Sequence, residues 1–144
     1  MDYIIREMVP ADVEEVYNLG LGKREFATAS ASFWMKDQLT PWCESNQDIM
    51  LVAEKDGKIV GFSFYAAHIP TGKVTWENLY VDPAFRGSGI AKALVEEGLK
   101  KIKEFGYPYV MLCVNATDQE AFASFVEGYG FKRGDKVLWM DQIL

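Results

Sequence analysis

The stretch from Leu79 to Ala91 limits the possible folds of this chain more than any other. An apolar segment, Leu79-Tyr80-Val81, passes through Asp82-Pro83-Ala84-Phe85 and a loop holding Arg86, Gly87, Ser88 and Gly89. It then enters a run in which Ile90, Ala91, Leu94, Val95, Leu99 and Ile102 form one wide apolar stripe at helical spacing, with Lys92, Glu96, Lys100 and Lys103 on the other side. A strand, a tight glycine loop and a long helix in direct succession make an anion site. Unpaired N–H groups of the loop and first turn converge there, and the helix dipole adds about half a positive charge. Glycines let a ligand come close to the backbone, Ala91 keeps the first turn uncluttered, and Arg86 can add a side-chain cation. The loop lacks the Gly-Lys-Ser/Thr ending of a triphosphate loop, and Lys92 stands where a dinucleotide fingerprint needs its third glycine.

The elements around this junction read as mixed α/β. Tyr3 to Arg6 is a short strand, and Pro10 opens a helix in which Val13, Val16 and Tyr17 recur before Gly20 and Gly22 end it. Ser32 caps a second helical stretch through about Leu39, with Pro41 as its stop. Ile49 to Lys55 and Lys58 to Ile69 are strands joined by Asp56-Gly57, a pair suited to a two-residue hairpin turn. After the turn Pro70 to Gly72, Lys73 to Val81 is a third antiparallel strand. Alternation puts Val74, Trp76, Asn78 and Tyr80 on one face and Glu77, Leu79 and Val81 on the other. Tyr109 to Val114 is apolar throughout, as in a strand covered on both faces. Asp118 caps a helix carrying Ala121, Phe122, Phe125, Val126 and Tyr129, which Gly130 ends. Phe131 to Lys132 and Val137 to Met140 read as a closing hairpin around Gly134-Asp135.

Composition removes several classes of function. The 144 residues, 49% hydrophobic and 25% charged, suit one domain over 1–144, and no linker or repeat divides them. A formal charge of −6 argues against a nucleic-acid partner. The longest apolar run, Tyr107 to Val114, is far short of the roughly 20 residues that span a bilayer, so no membrane association is expected. Asp2, Arg6 and Glu7 interrupt any signal-peptide core, which points to the cytoplasm. Cys43 and Cys113 lack CxxC spacing and His68 is the single histidine, so neither a disulfide framework nor a metal centre is expected.

The loop resembles the signature of the GNAT superfamily of N-acetyltransferases, Arg/Gln-x-x-Gly-x-Gly/Ala, which reads here Arg86-Gly87-Ser88-Gly89-Ile90-Ala91. Leu79-Tyr80-Val81-Asp82-Pro83, the later Gly130-Phe131 and the order of elements are also similar to that family. The resemblance implies a single-domain α/β (α+β) fold. Its central, mostly antiparallel sheet would have six to seven strands flanked by about four helices, with a splayed strand pair holding CoA. It further implies that acetyl-CoA is the cosubstrate and that backbone amides from Arg86 to Ala91 hold its pyrophosphate. The strand Leu79-Tyr80-Val81 would lie beside the pantetheine arm, which pairs with the backbone of Leu79 and Val81.

The implied reaction is direct attack of an amine on the thioester in a ternary complex, which requires positioning, proton removal and oxyanion stabilisation. Glu77, where many relatives place a carboxylate, is the preferred base; His68, with an ordinary pKa near 6.5, is the alternative. Each also has a plain reading, as a strand carboxylate paired with a lysine and as a structural histidine. The family's usual tyrosine acid falls at Val126, or at Phe125 in a shifted register, leaving Tyr129 one turn on as a substitute. Without it, a thiol of pKa near 8.5 can leave as thiolate. Cys113 reads as a small hydrophobe in its strand. Asn115 reads either as a loop residue or as a partner of pantetheine or the catalytic water. Phe26, Phe33, Trp34, Trp42, Tyr65, Trp76 and Tyr80 supply aromatics to the acceptor side, most of them as core. The acceptor is a small-molecule or peptide amine, favoured as a cation by the acidic charge, and a homodimer is left open. The absent tyrosine keeps a second class in view, a CoA-binding sensor or structural module without catalysis.

Overall fold

A computed structural model of the chain describes residues 2–21, 23, 36–138 and 140–142. Ser32, Phe26, Phe33 and Trp34 lie outside them, as do Gly22 and Trp139. The elements in order are β1 (Ile4–Glu7), α1 (Val13–Gly20), α2 (Lys36–Cys43), β2 (Ile49–Lys55), β3 (Lys58–His68), β4 (Lys73–Val81), α3 (Ile90–Glu104), β5 (Tyr109–Met111) and α4 (Glu120–Glu127). The sheet runs β1-β2-β3-β4-β5, with the first four strands antiparallel and β5 parallel to β4.

The hairpin joining β2 and β3 forms where expected, with φ of 52° at Asp56 and 73° at Gly57. β2 is buried on both faces because each face of the sheet carries its own core. On one face Leu51, Tyr65, Val74, Trp76 and Val81 pack with Ile90, Leu94, Val95 and Ile102 of α3 and Val126 of α4. On the other, Val52, Phe62, Phe64 and Tyr80 pack with Met8, Val16 and Leu39. Tyr65, Trp76 and Tyr80 are thus core, and Trp42 is half-buried, edge-on to Phe64 at 5.4 Å. α3 seats directly on Tyr65: a Cβ at Gly98 would meet the Tyr65 hydroxyl at 2.3 Å, so the apolar stripe of this helix includes a position where no side chain fits.

Five strands are present among the described residues, not six to seven. Residues 131–138 and 140–142 form no strand, so the closing hairpin is absent there. Arg133 is held instead by Glu120 at 2.6 Å and Glu127 at 2.8 Å, which ties this segment to α4, while Phe131 packs over Trp76 of β4 with ring centroids 5.9 Å apart. β5 stops at Met111, three residues before Val114, and is exposed or half-buried rather than covered on both faces. α4 begins after Gln119, not Asp118, and ends before Tyr129, which stands in the following turn. Pro41 does not stop α2: the helix runs through it to Cys43, with Leu39 and Trp42 packed on the second core. The missing Pro41 N–H removes one helical bond, and this packing outweighs it.

The faces of β4 also differ from simple alternation. Phe64 pairs with Asn78 and Tyr65 with Trp76, so Glu77 is an extra residue, a β-bulge. Val74 and Trp76 therefore share the α3 face with Leu79 and Val81, whereas Tyr80 turns to the opposite core.

Candidate active site

Two strands that start paired and then part make the site. Lys73, Val74 and Thr75 face Tyr109, Val110 and Met111, and beyond that the ladder ends although β4 continues to Val81. The bulge re-aims β4 where β5 stops, and the opening is a cleft of about 260 Å³. Trp76, Leu79, Leu112 and Phe122 supply its apolar lining, and Glu77, Asn78, Cys113 and Gln119 its polar groups.

The edge of β4 along this cleft carries unpaired backbone. The Asp82 N–H donates to Val60 O at 2.9 Å, and Leu79 and Val81 face Ser63 and Gly61. In an antiparallel pair, hydrogen-bonded and non-bonded positions alternate, so Leu79 and Val81 turn their N–H and C=O groups away from β3, toward the parted strand. Val81 O is taken by Arg86 Nε at 2.9 Å.

The same edge runs into the loop. Asp82 Oδ1 accepts from Ala84 N at 2.9 Å, and Ser88 Oγ donates to Phe85 O at 2.5 Å, which fixes the turn over Pro83–Phe85. Gly87 and Gly89 adopt φ of 79° and 87°, left-handed values that a side chain would strain. Gly89 is the N-cap of α3. Among the described residues the N–H groups of Gly87, Ser88, Gly89, Ile90 and Ala91 donate to no protein acceptor. These donors lie at the positive end of a 15-residue helix, in a loop whose residues Arg86 to Gly89 are exposed. Arg86 folds back to Val81 O, its guanidinium 5.7 Å from the Tyr80 ring centroid, and so braces the loop against β4.

Glu77 opens to solvent at the mouth of the cleft, and the protein around it displaces enough water to push its carboxyl above the ordinary value. His68 and Tyr129 are not brought to it. His68 pairs with Lys73, four residues or about 13 Å of strand from Glu77. Its Nδ1 lies 2.8 Å from Thr71 Oγ1 in the turn joining β3 and β4. Tyr129 packs edge-on against Phe125 at 5.4 Å, outside the cleft lining; burial, then Glu96, pushes its phenol up. Asn115 organises the turn into α4: its Oδ1 accepts from Thr117 N at 2.9 Å, and its N–H donates to Gln119 Oε1 at 2.8 Å. Cys113 is exposed and walls the cleft rather than packing inside a strand, because β5 has already ended. Sequence reading did not find Asn78, Gln119 or Phe122 in the lining. The one signal for them is the splay itself, which brings the residues after β5 and the start of α4 opposite the bulge.

Comparison with known proteins gives the same picture. Residues 14–131 match the profile of the Acetyltransferase (GNAT) family. A mycothiol acetyltransferase of Acidothermus cellulolyticus is 30% identical over 96% of this chain and 47% of its own length. An acetyltransferase of Sodalis glossinidius is 33% identical over 75% of this chain and 81% of its own length. The chain spans about half or less of the curated mycothiol acetyltransferases it matches. The PaiA N-acetyltransferase of Thermoplasma acidophilum, solved in complex with coenzyme A, superposes with a TM-score of 0.79 at 22% identity, covering 96% of this chain and 95% of that one. With its sequence, order of elements and parted strand pair in agreement, this chain belongs to the GNAT acetyltransferase family.

Proposed function

We propose that the chain transfers an acetyl group from acetyl-CoA to an amine by direct attack in a ternary complex. One observation carries this reading: unpaired backbone groups stand at two places along one edge, at Leu79 and Val81 beside the cleft and at the N–H groups of Gly87 to Ala91, with the internally bonded turn Asp82 to Arg86 between them. A ligand suited to that edge is a thread bearing amides at one end and phosphates at the other, as the pantetheine and pyrophosphate of CoA do. Gly87, Ser88, Gly89, Ile90 and Ala91 hold the pyrophosphate through their N–H groups, while Arg86, its own N–H on Pro83 O and its side chain on Val81 O, braces the loop; Leu79, Tyr80 and Val81 form the strand edge beside pantetheine, and the thioester lies in the cleft.

Glu77 is the general base in this reading. The amine nitrogen attacks the thioester carbonyl carbon, its proton passes to the Glu77 carboxylate directly or through one water, and the C–S bond breaks to release CoA thiolate. A carboxylate whose pKa is pushed up by desolvation is a better base than an ordinary one. With Tyr129 and His68 outside the cleft lining, the thiolate leaves without a dedicated tyrosine acid. Asn115 acts through Gln119, which it ties to the cleft wall. The acceptor is a small-molecule or peptide amine, and the acidic chain favours a cationic one.

The test is thiol release from acetyl-CoA across polyamines, aminoglycosides, amino acids and peptides. At least one amine gives acceptor-dependent release, and Glu77→Gln lowers its kcat by about 10² to 10⁴. If acetyl-CoA binds and no amine is acetylated, the chain is a CoA-binding sensor instead. If His68→Gln collapses activity and Glu77→Gln does not, His68 is the base.

A further inference from the structure

Two buried polar side chains grip the bulge that carries Glu77. Trp76 Nε1 reaches over Glu77 to donate to the backbone oxygen of Asn78 at 3.0 Å. Ser63 Oγ, from the neighbouring strand, donates to that same oxygen at 3.1 Å and accepts from Trp76 Nε1 at 2.9 Å. The three groups close a triangle linking β3 to both residues that flank Glu77. Ser63 is 0% exposed and Trp76 4%. A hydroxyl and an indole N–H in an apolar core cost stability unless they are bonded, and an inserted residue disturbs the ladder bonds of its neighbours. Here each need meets the other.

We propose that Ser63 and Trp76 are positioning residues that clamp the β4 bulge and so hold the Glu77 carboxylate in the cleft. Their catalytic consequence rests on Glu77 acting as the base; the clamp itself rests on the triangle. Without the Ser63 hydroxyl, Asn78 O loses one of its two side-chain donors and the bulge loosens. Glu77 then swings toward bulk water, and its carboxyl falls back toward the ordinary range. A side chain buried merely for packing would leave that carboxyl where it is.

The experiment follows the Glu77 side-chain carboxyl by carbon NMR across a pH series in the full chain, as wild type, Ser63→Ala, Ser63→Thr and Trp76→Phe. The midpoint falls in Ser63→Ala and Trp76→Phe and is retained in Ser63→Thr, which keeps the hydroxyl. An unchanged midpoint in folded Ser63→Ala overturns the clamp, whatever the kinetics show. In parallel, Ser63→Ala lowers kcat by about 10- to 100-fold with KM for acetyl-CoA within about twofold, and moves the acid limb of the kcat profile to lower pH. In a Glu77→Gln background the same change costs nothing further. An equal loss in both backgrounds means that Ser63 acts elsewhere and overturns the proposal. If Glu77→Gln alone leaves kcat intact, the base assignment fails, and the NMR midpoint still decides the clamp.

Discussion

Glu77 shows how one residue's environment sets two measurable properties with opposite signs. Its carboxyl is raised above its ordinary value in the folded chain, so the folded state binds the proton more tightly than the unfolded state. The charged form then costs stability, which falls as pH rises through the interval between the unfolded and folded values and is recovered below it. As a base, Glu77 must be ionised, so the acid limb of kcat is displaced upward from where an ordinary glutamate would put it. Glu77→Gln is therefore expected to melt at a higher temperature than wild type at neutral pH while losing kcat, and to recover part of its rate as rising pH frees the amine. Paired melting curves and pH–rate profiles check both signs. Gly89 carries the second residue-scale prediction. Its φ of 87° strains any side chain, and a Cβ would lie 3.4 Å from the Tyr3 hydroxyl. Gly89→Glu adds a negative charge beside the loop donors, so Kd for CoA measured by calorimetry rises well beyond twofold. The glycines of the loop were legible from their spacing, and Glu77 came into view as a candidate through the resemblance to the GNAT superfamily. The clamp was not, because Ser63 and Trp76 belong to different strands, and only the register brings them to one carbonyl.

At the scale of elements, local pattern sufficed where one residue set the geometry. The Asp56-Gly57 hairpin and the long α3 appear as read because turn chemistry and a wide apolar stripe each leave one solution. Alternation failed in β4 because the bulge inserts one residue and swaps the faces after it, a change that no side-chain pattern announces. The early end of β5 has the same origin: the run Tyr109 to Val114 is apolar enough to continue, but its partner turns away. α3 makes the element-scale prediction. Gly98 lets the helix rest on the Tyr65 ring, and a Cβ there would stand 2.3 to 2.5 Å from three ring and hydroxyl atoms. Gly98→Ala must lift the helix, at a cost of about 1–3 kcal/mol or more despite alanine's better helix propensity. Lifting α3 also displaces the N–H groups at Ile90 and Ala91. A lower melting temperature should therefore accompany weaker CoA binding, measured on the same sample.

For the whole molecule, the sheet separates two cores and leaves the site at their seam. The core under α3 and α4 supports the loop and the cleft floor, while the core under α1 and α2 takes Tyr80, the residue between the two exposed backbone positions of β4. The family was legible from sequence because the loop, its strand and its helix are contiguous, and the sheet only in part: the antiparallel β2, β3 and β4 were read, the number of strands was not. The cleft wall was not, since it needs the chain after β5 and the start of α4 to meet β4 across a gap. Acetyl-CoA binding along unpaired backbone at two places, the β4 edge at Leu79 and Val81 and the α3 N-terminus at Gly87 to Ala91, is the core of the proposed function. Its most direct test is the melting temperature of the wild-type chain against ligand concentration, for acetyl-CoA and, as another phosphate-bearing cofactor, NADH. A ligand that binds only the folded state stabilises it by RT ln(1 + [L]/Kd), about 2.7 kcal/mol at 100 times Kd. Acetyl-CoA should raise the melting temperature progressively once its concentration passes Kd, with no change from NADH. Equal shifts with the two, or none with acetyl-CoA at millimolar concentration, would contradict the account.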